Sequence, residues 1–314
     1  LLLNVGAPIE LTDILQEAKN IQAVLNISLP GQEGGHAVAD VLLGKAMPGG
    51  RLTATWAKRY EDYPSAEDYG SLNGNLETEE YKEGIYVGYR YFDSFSIKPL
   101  FPFGYGMSYT DFSIKFEKLL ITEAGVCVAV TVKNTGECYC GKEVVQIYIT
   151  LPQTGLDKEY HRLVGFAKTN TLYPGETQKI TILIEGKQLA SFSEAMQAWL
   201  VERGEYGVWI GKDSVSLQLA ALLFVPEQTV IESTTKICSQ KTAFEELCAL
   251  QTDADEMQTQ QEQDRHEKVP VFQFVPQKER EYQFELQTAE KHSVEELIPL
   301  LYGNITQGTS TLGS

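Results

Sequence analysis

The sequence predicts an α/β domain followed by an all-β sandwich, on two changes of pattern along its 314 residues. Over residues 1–112, short apolar runs alternate with amphipathic helix-like segments, the strand–loop–helix order of α/β architecture with a parallel sheet. Over residues 113–225, β-branched runs recur between regular turn signals, the mark of a β-sandwich of about 100 residues.

The first domain is justified element by element. Leu1–Val5 is a short apolar run that reads as a strand already under way, which leads us to expect the domain truncated at its start. Asp13 with Gln16 offers a helix start, and Ile14, Leu15 and Ala18 form its apolar stripe. Gln22–Leu29 reads as a buried strand and Pro30–Gly35 as a loop. A second helix follows, with Ala37, Val38, Val41 and Leu42 expected inward and Gly44 closing it. Between Trp56 and Pro102 the chain is irregular and rich in Tyr, Asp, Glu and Gly; loops this long are usually functional or cover an interface. Pro99–Thr110 is interrupted by Pro and Gly and reads as a rigid aromatic connector between the domains.

In the second domain, Val126–Lys133 and Glu143–Thr150 are strands, with Asn134-Thr135-Gly136 as a turn between them. Tyr173-Pro174-Gly175 turns the chain before the strand Gln178–Ile184, and Gly204–Gly211 is a late strand. Residues 226–290 read as an acidic linker or extension, and 251–267 as an exposed, disordered connector. Thr242 with Glu245, and Ser293 with Glu296, offer two further helix starts.

Charge narrows the function classes. The formal net charge is -17, and residues 226–314 hold 16 acids against 7 bases. So acidic a surface repels phosphates and anionic lipids, which argues against nucleic acid and membrane partners. A neutral ligand such as a sugar is indifferent to that field. No apolar run is long enough to span a bilayer, and Leu1-Leu2-Leu3 lacks the basic flank of a signal peptide. The five Cys (127, 138, 140, 238 and 248) form no metal-ligand spacing, and their odd count suggests reduced thiols and a cytoplasmic location. No metal or organic cofactor is implied.

The candidate site residues lie on two segments. In Pro30-Gly31-Gln32-Glu33-Gly34-Gly35, a strand hands over to a helix, at the end of an α/β sheet where ligands bind. The glycine spacing is not that of a P-loop. Gln32 and Glu33 can instead hydrogen-bond sugar hydroxyls; equally, the glycines can do no more than shape a turn while Glu33 faces the helix dipole. Tyr81–Asp93 is dense in aromatics and charge, which suits a saccharide cleft and offers Glu83, Tyr89 and Arg90. The same segment suits a structural arm of half-buried tyrosines held by an Arg90–carboxylate pair. The four His (36, 161, 266 and 292) have no nucleophile motif around them, and no catalytic residue is assigned.

Together these segments resemble the non-barrel part of glycoside hydrolase family three. The likeness rests on Leu3–Ile9, the Pro30–Gly35 loop with Ala39–Gly44, Pro48–Trp56, the Tyr81–Asp93 arm and Phe101–Thr110. Downstream, Val132–Gly136, Gly141–Gln146 and Leu163–Phe166 resemble the family's fibronectin type III-like module. The resemblance implies a retaining β-glycosidase acting on terminal β-linked glucose or xylose, with its nucleophilic Asp in a (β/α)8 barrel and its acid/base Glu ahead of the position of Leu1. A retaining pair must sit about 5–5.5 Å apart, so a chain with neither carboxylate should not turn over substrate alone. It also implies a reversed domain order, as in some bacterial members, with residues 291–314 opening the barrel. Two other readings stay open: a stand-alone carbohydrate-binding or adhesion module, and an enzyme in which Glu33 or Glu83 is the general acid.

Overall fold

Alternating apolar residues make β4 (Gly125–Asn134) the centre of one sheet: Val126, Val128, Val130 and Val132 are fully buried while the residues between them are largely half-exposed. It pairs antiparallel with β3 (Phe112–Thr122) on one side and β7 (Thr177–Ile184) on the other. Against this three-stranded sheet stands one of five strands. Its order runs from β13 (Val271–Gln273) through β11 (Leu217–Val225), β10 (Gly204–Gly211) and β5 (Val144–Thr150) to β6 (His161–Lys168). Val145, Ile147, Ile149, Val208, Ala221 and Leu223 from it meet the β4 and β7 valines and isoleucines in one core. A smaller sheet of β8 (Ser191–Ser193), β9 (Ala198–Val201) and β12 (Thr229–Ser233) closes one end. The computed structural model describes residues 1–70, 74, 77–236, 245–249 and 269–278.

The five-stranded sheet is buried on both faces. Its second face carries Tyr148, Trp209, Leu219 and Leu222, which pack against Tyr89 from the first domain. This explains why β5 reads as an almost unbroken apolar run rather than an alternating one. The strands expected at 126–133, 143–150, 178–184 and 204–211 are present, each within about one residue, whereas β3, β6, β8, β9, β11, β12 and β13 have no counterpart among the expected strands.

The first domain is slighter than its sequence pattern predicts. A parallel pair, β1 (Leu2–Leu3) and β2 (Leu25–Asn26), is its only sheet among the described residues, so the strand expected over Gln22–Leu29 shrinks to two residues. Helix α1 (Thr12–Glu17) begins with no side-chain cap, because the Asp13 carboxylate is bound instead by Arg59 at 2.6 and 2.7 Å. Leu15 packs on a small cluster of Leu3, Leu11 and Trp56, while Ile14 is exposed. Helix α2 (Gly34–Leu42) ends at Gly44, whose φ of 71° suits a glycine C-cap, as expected. Its predicted inward stripe is not buried: Ala37 is exposed and Leu42 retains 60% of its accessible surface. Two short strands are too small a platform to cover it.

The connector does bridge the domains. Leu52 N donates to Tyr105 O at 2.9 Å on the first-domain side, and Ser214 N donates to Phe103 O at 2.9 Å on the sandwich side. At Gly104 (φ 84°) a Cβ would lie 2.3 Å from Gln146 Nε2 and 3.1 Å from Asp213 Cα, so this close approach requires glycine. The acidic extension is partly built into the fold. Residues 245–249 lie on the arm, with Leu247 N donating to Lys82 O at 2.8 Å, and β13 adds a parallel strand beside β11. The connector expected at 251–267, the expected helix start at Thr242 and the 291–314 segment lie outside the described residues.

Candidate functional site

The Pro30–Gly35 loop projects into solvent. Gln32 is exposed, and Glu33 keeps 84% of its side-chain surface while its Oε2 meets His36 Nδ1 at 2.6 Å. Glu33 occupies the N-cap position of α2 without a side-chain cap bond. Neither side chain is buried, and Glu33 is held only by the equally exposed His36 ring among the described residues, so they can meet a ligand without being pre-organised by burial.

The arm is different. Glu83 is half-exposed and its backbone carbonyl accepts from Tyr86 N at 2.8 Å. Tyr89 and Arg90 open α3 (Tyr89–Ser94), which sends Tyr89, Arg90, Asp93 and Ser94 to the sandwich while Phe92 packs on Tyr63 of the first domain. The Tyr89 hydroxyl accepts from Leu163 N at 2.9 Å, and its ring lies 5.5 Å from Tyr148 and 5.4 Å from Phe103. Arg90 Nε lies 3.6 Å from Glu159, a carboxylate with 2% side-chain exposure. The geometry therefore gathers Glu83, Tyr89 and Arg90 on one arm. Among the described residues no hydrogen bond or ion pair links that arm to Gln32 or Glu33.

What anchors the arm is the run Asp157-Lys158-Glu159-Tyr160-His161-Arg162, which sequence reading passed over. Six successive polar or charged residues leading into the half-buried β6 are the signal the sequence offers. Glu159 accepts from Arg162 at 2.7 and 3.0 Å, a bidentate pair. Burial pushes the Glu159 carboxyl up, but the Arg162 hydrogen bonds and the charges of Arg162 and Arg90 outweigh it, leaving the pKa below the ordinary glutamate value. Buried Lys158 pairs with Glu202, yet desolvation wins there and lowers its pKa. Fully buried Tyr86 donates to Asp157 at 2.6 Å, and Ala249 N donates to both groups. Burial, with the Asp157 hydrogen bond next, drives the Tyr86 phenol pKa well up.

Asp93 and His161 form a looser buried pair at 3.7 Å. Asp93 Oδ2 and both His161 ring nitrogens have no hydrogen bond, and burial raises the Asp93 pKa while His161 pulls the other way. The His161 ring is packed against Tyr148, Tyr160 and Trp209, so the pair is closed off rather than presented in a cleft. Among the described residues no group of three or more His, Cys, Asp or Glu is placed to hold a metal ion.

The Glu159 cluster makes a pH prediction. A carboxylate whose folded pKa lies below its unfolded value contributes stability above the unfolded value, and loses it as pH falls through the folded one. Thermal unfolding should therefore show a fall in Tm as pH drops below the ordinary glutamate range, and Glu159→Gln should flatten that fall. An unchanged acid limb in the variant would contradict the pairing.

Comparison with known proteins identifies this frame. Residues 1–89 match the glycosyl hydrolase family 3 C-terminal domain, and residues 143–214 match a fibronectin type III-like domain. The chain belongs to glycosyl hydrolase family 3. Within that family it is similar to β-glucosidase A of Butyrivibrio fibrisolvens, at 39% identity over 67% of this chain and 27% of the relative. A β-glucosidase of Ruminococcus albus is 37% identical over 79% of this chain and 26% of the relative. Among solved structures, β-glucosidase 3B of Thermotoga neapolitana with α-D-glucose superposes with a TM-score of 0.66 at 38% identity, over 73% of this chain and 31% of that one. The family 3 chain described here thus spans about a quarter of the length of the curated relatives it matches.

Proposed function

We propose that this chain is the non-barrel part of a retaining β-glucosidase that removes terminal β-linked glucose, or xylose, from oligosaccharides or glycosides. The observation that carries the reading is the family 3 C-terminal domain joined to a fibronectin type III-like domain, in a chain whose relatives are named β-glucosidases. The chain supplies scaffold and cleft rim, while the reacting carboxylates belong to other parts of the protein. The buried acids support this. Glu143 is engaged by Arg51, Glu159 by Arg162 and Arg90, Glu202 by Lys158, and Asp213 by the Val215 and Ser216 amides. These carboxylates are held by fixed partners inside the fold. The Asp93–His161 pair is likewise enclosed by Tyr148, Tyr160 and Trp209, which fits structural groups rather than reacting ones.

A barrel following the sandwich is part of the proposal. An intracellular location is proposed on the cysteine pattern alone.

The test is product stereochemistry from the longer polypeptide acting on an aryl β-glucoside, followed by NMR. Release of the β-anomer first is expected; release of the α-anomer first, or no turnover of β-glucosides, would contradict the reading. In the same polypeptide Glu33→Gln and Glu83→Gln should keep the wild-type dependence on leaving group. A loss confined to poor leaving groups would instead make that residue the general acid.

A further inference from the structure

The loop from β4 to β5 carries two thiols, in Glu137-Cys138-Tyr139-Cys140-Gly141; Cys138 is exposed and Cys140 half-buried. Two peptide units separate their Cα atoms by at most about 7 Å, and a disulfide spans about 4.4–6.8 Å. The covalent chain therefore keeps the two thiols near disulfide reach. Cys127 is placed differently: it lies within β4, laddered on both sides against Leu120 and Leu183.

The backbone around the pair is pinned. Fully buried Asn134 donates from its side-chain nitrogen to Tyr139 O at 2.8 Å and to Leu172 O at 2.9 Å. Its Oδ1 accepts from the Thr110 hydroxyl at 2.6 Å and from Gly136 N at 3.0 Å. Gly141 exchanges backbone hydrogen bonds with Leu172, at 3.1 and 2.8 Å. Tyr139, between the cysteines, sets its ring 6.0 Å from Tyr109, whose hydroxyl donates to Val41 O in α2.

We propose that Cys138 and Cys140 are a reversible dithiol–disulfide couple that reacts with small disulfides of the glutathione type. Exposed Cys138, as the thiolate, attacks one sulfur of the small disulfide and releases a thiolate, leaving a mixed disulfide. Cys140 then attacks the Cys138 sulfur and expels the second small thiolate. Two protein thiols are oxidised, one small disulfide is reduced, and the two protons end on the released thiols. A ring closed between residues two apart, with Tyr139 O and Gly141 both tied down, is strained, and a strained disulfide is readily reduced. The same closure pulls on Tyr139 and shifts its ring against Tyr109, so the couple acts at the contact with the first domain. The proposal goes beyond the glycosidase reading and needs no turnover.

The test treats the folded 314-residue chain with oxidised glutathione, alkylates the remaining thiols and digests with trypsin. The peptide 134–142, cut after Lys133 and Lys142, holds both of these cysteines and no other. Its mass should fall by two hydrogens, with two glutathiones released, and reduced glutathione should restore it. Cys140→Ser should stop at a stable glutathione adduct on Cys138. Cys138→Ser should form its adduct about ten-fold more slowly, because access to the thiol limits exchange. In urea the two variants should react at the same rate. A stable glutathione adduct on the wild-type peptide, or no change in that peptide, would overturn the proposal. So would equal rates for the two variants in the folded chain.

Discussion

Arg51→Met is expected to destabilise the protein by about 3–5 kcal/mol, because it strands a buried carboxylate. Arg51 Nη2 meets Glu143 Oε1 at 2.5 Å, with side-chain exposures of 8% and 5%. The pair joins the Pro48–Trp56 segment of the first domain to the sandwich just ahead of β5. Without Arg51, the Glu143 carboxylate keeps only the Val144 amide, at 2.7 Å, among donors from the described residues. The double variant Arg51→Met/Glu143→Met should recover most of the loss, since replacing both members of a buried pair by apolar side chains is often close to neutral. Urea unfolding monitored by tryptophan fluorescence measures both. A loss below about 1 kcal/mol in the single variant, the level of a surface ion pair, would contradict the account.

Tyr89→Ala is the second large effect, at about 3 kcal/mol, the scale of truncating a packed aromatic. The ring fills the space between Tyr148 and Phe103, and its hydroxyl accepts the Leu163 amide. Tyr89→Phe removes only the hydrogen bond and should cost about 1 kcal/mol. The outcome separates two roles for a residue that the sequence marks as a sugar-cleft candidate. A stacking platform for substrate would leave stability nearly unchanged on truncation and lower substrate affinity instead.

The sandwich was legible in the sequence because its strands carry their own signals. Val126–Lys133 alternates with period two, and turns such as Tyr173-Pro174-Gly175 punctuate the runs. The strands that went unseen lack those signals. Phe112–Thr122 interleaves Lys and Glu on a half-exposed edge, and Ser191–Ser193 is three residues long. The first domain was over-read: the apolar stripe of α2 predicts a partner layer, but the stripe itself does not say which residues supply it. On the arm, composition could not tell a sugar platform from a buried anchor, since both call for tyrosine and arginine. The deciding partner, Glu159, lies about 70 residues further along the chain, in a charged run with no motif to mark it.

The central claim is that catalysis resides outside these 314 residues, and hydrolysis of an aryl β-glucoside by the purified chain tests it most directly, with the longer polypeptide assayed beside it. The account predicts turnover by the longer polypeptide and none by the chain alone. Turnover by the chain alone, persisting through repeated purification, would place a reacting carboxylate among the residues described and contradict the account.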